Sequence, residues 1–155
     1  MATLKKYLFK TLLFFVVGTV AAQANGEDKI RLKDYQWKNR LILAFSPSTK
    51  DPGYRALAKE IAVQAEEVVD RDLLVFHILE AGKIKSGESS LQVGSGDYLR
   101  ESFAIRPGTF TVLLIGKDGG VKLRREGGVE LDEIFSLIDT MPMRQREMRA
   151  KSQQR

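Results

Sequence analysis

Two segments of this chain are almost continuously apolar, Leu41-Ile-Leu-Ala-Phe45 and Leu73-Leu-Val-Phe-His-Ile-Leu79, the pattern of strands covered on both faces rather than on one. Between them, Asp51 and Pro52 form a helix start. The carboxylate accepts N–H groups that have no partner in the first turn, and proline at the first helical position omits a donor that would have been idle there. Tyr54, Leu57, Ala58, Ile61, Ala62, Ala65, Val68 and Val69 then recur at helical spacing, with Arg55, Lys59, Glu60, Gln64 and Glu67 on the opposite side, which predicts one amphipathic helix lying on a sheet. A strand, a helix and a strand in that order predict a right-handed crossover with the two strands adjacent and parallel.

From Ala81 to Gly96 the chain is rich in Gly and Ser and has no apolar period, so a mobile excursion is expected. A short helix from about Asp97 to Ala104 follows, burying Tyr98 or Leu99 and Phe103. Phe110 to Ile115 reads as a third strand, Lys117-Asp-Gly-Gly120 as a turn, and Val121 to Arg124 as an antiparallel partner. Leu131, Ile134, Phe135, Ile138 and Met141 mark a last amphipathic helix. This order predicts an α/β fold in the thioredoxin-like arrangement, a three-layer sandwich whose mixed four-stranded sheet is ordered second, first, third, fourth, with helices on both faces.

The 155 residues suffice for one domain with its own core. Ahead of it, Lys5, Lys6 and Lys10, the uncharged run from Thr11 to Ala22 and the small-x-small Ala22-Gln23-Ala24 have the form of a cleaved export signal. The apolar run is shorter than the roughly 20 residues that cross a bilayer. The expected division is therefore a signal peptide over residues 1–24, a domain over 25–143 that opens with a loose polar segment from Asn25 to Lys33, and a basic C-terminal tail over 144–155. The expected location is the periplasm or the exterior. The formal charge of +5 overstates the basicity. Three of the cations leave with the signal, and Arg144, Arg146, Arg149, Lys151 and Arg155 belong to the tail, so the body is slightly acidic. A basic tail on an exported domain is not a nucleic-acid footprint, which covers a face; an anionic surface or an unidentified protein or envelope partner is the expected contact.

The chain has no cysteine. Phe103-Ala-Ile-Arg106 followed by Phe110-Thr-Val-Leu-Leu-Ile-Gly-Lys-Asp-Gly119 resembles the thioredoxin segment that enters the third strand and its hairpin. Phe110 stands nearest the place of that family's cis-proline, and Ser46-Pro-Ser-Thr-Lys-Asp-Pro52 occupies the place of its Cys-x-x-Cys. Phe45-Ser-Pro47 resembles the opening of the peroxiredoxin segment, with Asp51 and Tyr54 where its threonine and peroxidatic cysteine would stand. Both chemistries use a thiolate, which a hydroxyl without a positioned base does not replace. Thiol-disulfide exchange and thiol peroxidase activity are excluded.

A more extensive likeness runs through Trp37-x-Asn39-Arg40, the Leu114 to Leu123 stretch Leu-Ile-Gly-Lys-Asp-Gly-Gly-Val-Lys-Leu, and Ile138-Asp-Thr-Met-Pro-Met-Arg-Gln-Arg-Glu-Met148. Together these are similar to the domain of unknown function 4174, found in short exported bacterial proteins and in animal sushi-repeat extracellular matrix proteins. The resemblance implies a thioredoxin-like fold outside the cytoplasm and, in the animal members, adhesion or matrix roles. It supplies no catalytic residue.

No catalytic, cofactor or metal residue stands out. The expected function is a non-catalytic interaction module, with Ser48, Thr49, Asp51, Met141, Met143, Arg144, Arg146, Met148 and Arg149 as contact residues. Two alternatives remain on the sequence: a cysteine-independent enzyme built on the Ser48, Thr49 and Asp51 loop, or Cu(I) binding by the thioethers of Met141, Met143 and Met148. His77, in mid-strand, reads as a packed neutral ring. Gly94-Ser95-Gly96 reads as a loop and helix cap rather than a phosphate cradle, and Asp118 as a turn residue.

Overall fold

The computed structural model describes residues 30–80, 84–86, 89–91 and 95–154; the proposed signal segment and Gly94 lie outside them. The sheet contains β1 (Arg40–Ser46), β2 (Leu73–Leu79), β3 (Ile84–Ser86), β4 (Ser89–Leu91), β5 (Thr111–Ile115) and β6 (Val121–Glu126), and its order is β4-β3-β2-β1-β5-β6. The four expected strands form the body of this sheet in the expected order. β1 runs parallel to β2 and antiparallel to β5, and β5 and β6 make the hairpin. The excursion after β2 is more than a loop, since its two three-residue strands extend the sheet along the free edge of β2.

Alternation along β1 divides the core. Ile42 and Ala44 join Leu57, Val112, Leu114, Ile134 and Ile138 on one face, while Leu41, Leu43 and Phe45 join Phe76, Ile78, Leu99 and Leu113 on the other. Both faces are dry, which is why β1 reads as an unbroken apolar run. Helices α1 (Pro52–Val63), α2 (Ala65–Asp70) and α4 (Leu131–Asp139) contribute to the first face, and α3 (Ser95–Ser102) to the second. In α3 the buried choice is Leu99, with Tyr98 exposed. The supposedly loose N-terminal segment also packs: Ile30 is buried, and Leu32 and Tyr35, in a 3-10 turn over Leu32–Tyr35, rest on the second face.

The single long helix predicted after Asp51 is two. Gln64 leaves helical geometry at φ −107°, ψ 34°, although Gln64 N and Val68 N still donate to the carbonyls four residues back. Val68 is buried and its neighbour Val69 is exposed, contrary to the expected stripe.

The largest correction concerns the C-terminus. Most of the residues expected as a basic C-terminal tail, 144–152, lie in α5 (Pro142–Ser152), begun by proline at the first turn. Within α5 the buried residue is Arg144, at 3% exposure. An apolar stripe does not hold this helix on the domain; ion pairs do.

Candidate functional site

The loop from Ser46 to Asp51 joins β1 to α1, where the sequence resemblance sets a Cys-x-x-Cys, and here its polar groups hold the backbone. The Ser46 hydroxyl donates to the Ser48 carbonyl at 2.8 Å, the Ser48 hydroxyl accepts from the Lys50 N–H at 3.2 Å, and an Asp51 carboxylate oxygen accepts from the Tyr54 N–H at 2.9 Å. This is the helix cap expected of Asp51. Thr49 is exposed. Among the described residues, neither Ser48 nor Thr49 is hydrogen bonded to a carboxylate or an imidazole, the arrangement that would activate a hydroxyl. Tyr54 lies edge-on to His77 with ring centroids 5.4 Å apart and edge-on to Phe110 at 6.3 Å. Burial raises the Tyr54 phenol above its ordinary value and keeps it protonated. His77 is half-buried against that ring rather than fully enclosed. Among the described residues, no three His, Asp or Glu side chains gather closely enough to hold a metal ion.

At the opposite end of the sheet, the three motifs that carry the resemblance to the domain of unknown function 4174 converge. Arg40, the first residue of β1, is 1% exposed. Its guanidinium donates to both carboxylate oxygens of Glu147 on α5, at 3.1 and 3.3 Å, and to the Arg71 carbonyl at 2.8 Å. Lys117, in the turn after β5, donates to the same Glu147 at 2.7 Å and to Asp72 at 2.7 Å. One carboxylate from the supposed tail therefore ties together the start of β1 and the β5–β6 hairpin.

A second set adjoins it. Arg71 donates to Glu67 at 2.5 Å and Asp139 at 2.6 Å, with its guanidinium 4.3 Å from the centre of the Phe135 ring. Arg144 reaches Asp139 at 3.0 Å and also bonds the Asp70 carboxylate, which accepts from Lys151 at 2.5 Å as well. Arg40, Arg71 and Arg144 are all buried, a state that arginine reaches only when paired. The sequence hinted at this in two ways: an arginine heading a strand buried on both faces, and Glu147 as the lone acid in a basic run.

The expected contact residues separate on this framework. Arg144 points into the network, so Arg144, Arg146 and Arg149 do not form one exposed cluster; Arg146 and Arg149 are exposed. Met141, Met143 and Met148 are half-buried. Met141 and Met143 line a cleft of about 340 Å³ between α4, α5 and the β5–β6 hairpin, together with Leu137 and Arg146. Arg40 and Lys117 form part of its wall. Met148 lies about 140° around the helix from Met143 at 100° per residue and is not among the lining residues. Asp118 caps its own turn, accepting from the Gly120 N–H at 3.0 Å and from Lys122 at 2.6 Å, and Gly119 supplies a positive φ of 83°.

The network gives a signed pH dependence. Hydrogen bonds from Lys151 and Arg144 hold the Asp70 carboxyl at about 2, against an ordinary value of 3.8. Burial pushes the Glu147 carboxyl upward, but the bonds from Arg40 and Lys117 outweigh it and leave it below its ordinary 4.5. Both groups bind protons more weakly folded than unfolded, so their stabilising contribution is complete above the unfolded values and lost as pH falls through the folded ones. Urea midpoints are expected to fall steadily from about pH 4.5 towards pH 2, less steeply in Asp70→Asn. An equal slope in that variant would contradict the assignment.

A family profile described as Domain of unknown function (DUF4174) matches residues 31–147. Coiled-coil domain-containing protein 80 of Danio rerio is 29% identical over 143 residues, covering 79% of this chain and 16% of that protein, so the chain spans about a sixth of the length of this relative. Among solved structures, the reduced 2-Cys peroxiredoxin of Plasmodium vivax aligns with a TM-score of 0.55 at 14% identity over 76% of this chain and 85% of that one. The pneumococcal exposed lipoprotein thioredoxin of Streptococcus pneumoniae aligns with a TM-score of 0.52 at 20% identity, over 72% and 91%. At such identities the likeness shows a shared fold and no more. Arg40, Lys117 and Glu147, where the motifs meet, all lie within the matched span and on a thioredoxin-like scaffold, and the chain belongs to the DUF4174 family.

Proposed function

We propose that the chain is an exported, non-catalytic interaction module that uses a thioredoxin-like scaffold to present a surface to a protein or cell-envelope partner. The observation that carries this reading is the state of the usual reactive position. No sulfur is present there, and Ser46, Ser48 and Asp51 are occupied in holding the loop and the first turn of α1. Export is supported by the basic, then apolar, then small-x-small order of residues 1–24. No helix of the described residues is long and apolar enough to cross a membrane. The contact surface is read at Met141, Met143, Arg146 and Arg149, with the Ser48 and Thr49 loop as a second region.

Expression of the full chain in a bacterium tests both parts. Intact mass is expected to show a product beginning at Asn25 in the periplasm or medium, and a photo-crosslinking residue at Arg146 is expected to capture a partner there. Full-length material retained in the cytoplasm would overturn export. An absence of adducts from Arg146, Arg149, Ser48 and Thr49 alike would overturn the interaction surface.

A further inference from the structure

We infer that the cleft between α4, α5 and the β5–β6 hairpin is a binding site for a small amphiphilic monocarboxylate, an unbranched acid of about ten non-hydrogen atoms. The inference rests on the reading of this chain as one that recognises rather than reacts, and adds a small-molecule ligand to it. The cleft volume of about 340 Å³ is near the lower end of the range found for ligand sites. At roughly 30 Å³ for each water-sized group, it holds on the order of ten such groups.

The walls have two characters. Leu137, Met141 and Met143 supply an apolar side, and the two thioethers are unbranched and polarizable, which suits an alkyl chain of variable posture. Arg40, Lys122 and Arg146 supply cations.

Charge counting fixes the valence. Lys122 is matched by Asp118, while Arg40 and Lys117 are matched by Glu147 and Asp72. Arg146 has no ion pair among the described residues, and it is the cation left over. A single negative charge therefore balances the cleft, which a carboxylate supplies at neutral pH; a phosphate monoester carries nearer two.

Arg40 is 1% exposed and paired with Glu147, so it closes the wall from behind, and the exposed Arg146 is the guanidinium that a bound carboxylate meets. Guanidinium groups match carboxylate oxygens better than any other side chain does.

Octanoate is the probe, and titration calorimetry of the purified chain is the measurement. Trp37, the single tryptophan, gives an optical readout, since its backbone N–H donates to the Lys117 carbonyl at 2.6 Å and its residue is 66% exposed. Saturable one-to-one binding of octanoate is expected, with acetate and octylammonium each at least about tenfold weaker. Arg146→Gln is expected to weaken octanoate by about tenfold through loss of a charge-assisted bond, and Lys59→Gln, which alters an exposed residue of α1 away from the cleft, to leave it unchanged.

Absence of saturation, equal binding of octylammonium or acetate, or an unchanged affinity in Arg146→Gln would each overturn the site. None of these results bears on whether the chain consumes peroxide, which is measured separately.

Discussion

Glu147→Ala is expected to destabilise the folded chain by about 2–3 kcal/mol and to lower Tm by roughly 10 °C. The carboxylate accepts from Arg40 at 3.1 and 3.3 Å and from Lys117 at 2.7 Å, and Arg40 has almost no access to water that could replace it. Removing one partner of such a pair strands the other charge in a poorly solvated place, and that penalty exceeds the net worth of the pair itself. The Glu147 side chain is 24% exposed, so some water reaches the gap, which is why the figure lies below the 3–5 kcal/mol typical of a fully buried pair. Arg40→Met combined with Glu147→Leu is expected to be less destabilised than the sum of the two single variants, because no unpaired guanidinium remains. Additive effects in urea denaturation would mean that the two residues are not coupled.

Ending the chain at Met141 should have the larger effect. This shortened chain loses Glu147 together with Arg144 and Lys151, and so removes the carboxylate on Arg40, one of the two carboxylates on Lys117, both cations on Asp70 and one of the two arginines on Asp139. With a total stability on the order of 5–15 kcal/mol for a domain, a loss above about 4 kcal/mol is expected, enough to leave much of the population unfolded at 37 °C by circular dichroism. A tail merely dissolved in water would leave the melting curve where it was. The Arg144→Ala variant should show part of the same loss, since Asp70 and Asp139 lose the cation between them.

The contrast between α5 and the strands explains what the sequence could and could not tell. Leu41 to Phe45 and Leu73 to Leu79 announce themselves because burial on both faces leaves almost no polar residue in the run. Helix α4 is equally plain, with Leu131, Ile134, Phe135 and Ile138 on one stripe. Helix α5 gives no such signal: Pro-Met-Arg-Gln-Arg-Glu-Met-Arg-Ala-Lys-Ser is docked by charge, and charge pairing has no periodicity to read. The break at Gln64 is hidden for the converse reason, because the apolar spacing continues through it. Strands β3 and β4, at three residues each, are too short to alternate detectably.

The candidate site was legible in pieces. Met141, Met143 and Arg146 were singled out by residue type and do share a cleft, whereas Arg144, three residues from Met141, turns inward to Asp70 and Asp139. Arg40 and Lys117 carry the likeness to the family but belong, in sequence, to a strand start and a turn more than seventy residues apart; only the sheet register, which sets Leu41 opposite Ile115, brings them together. Their shared dependence on Glu147 gives the three motifs one physical purpose, fixing α5 and with it one wall of the cleft.

Consumption of hydrogen peroxide by the purified chain, in the presence of a thiol reductant, tests the central claim most directly. With no thiolate, and with Ser48 and Asp51 already engaged by the backbone, peroxide should disappear no faster than in the same buffer without protein. Turnover at an enzymic rate that scales with protein concentration would contradict the reading of this scaffold as a surface for recognition.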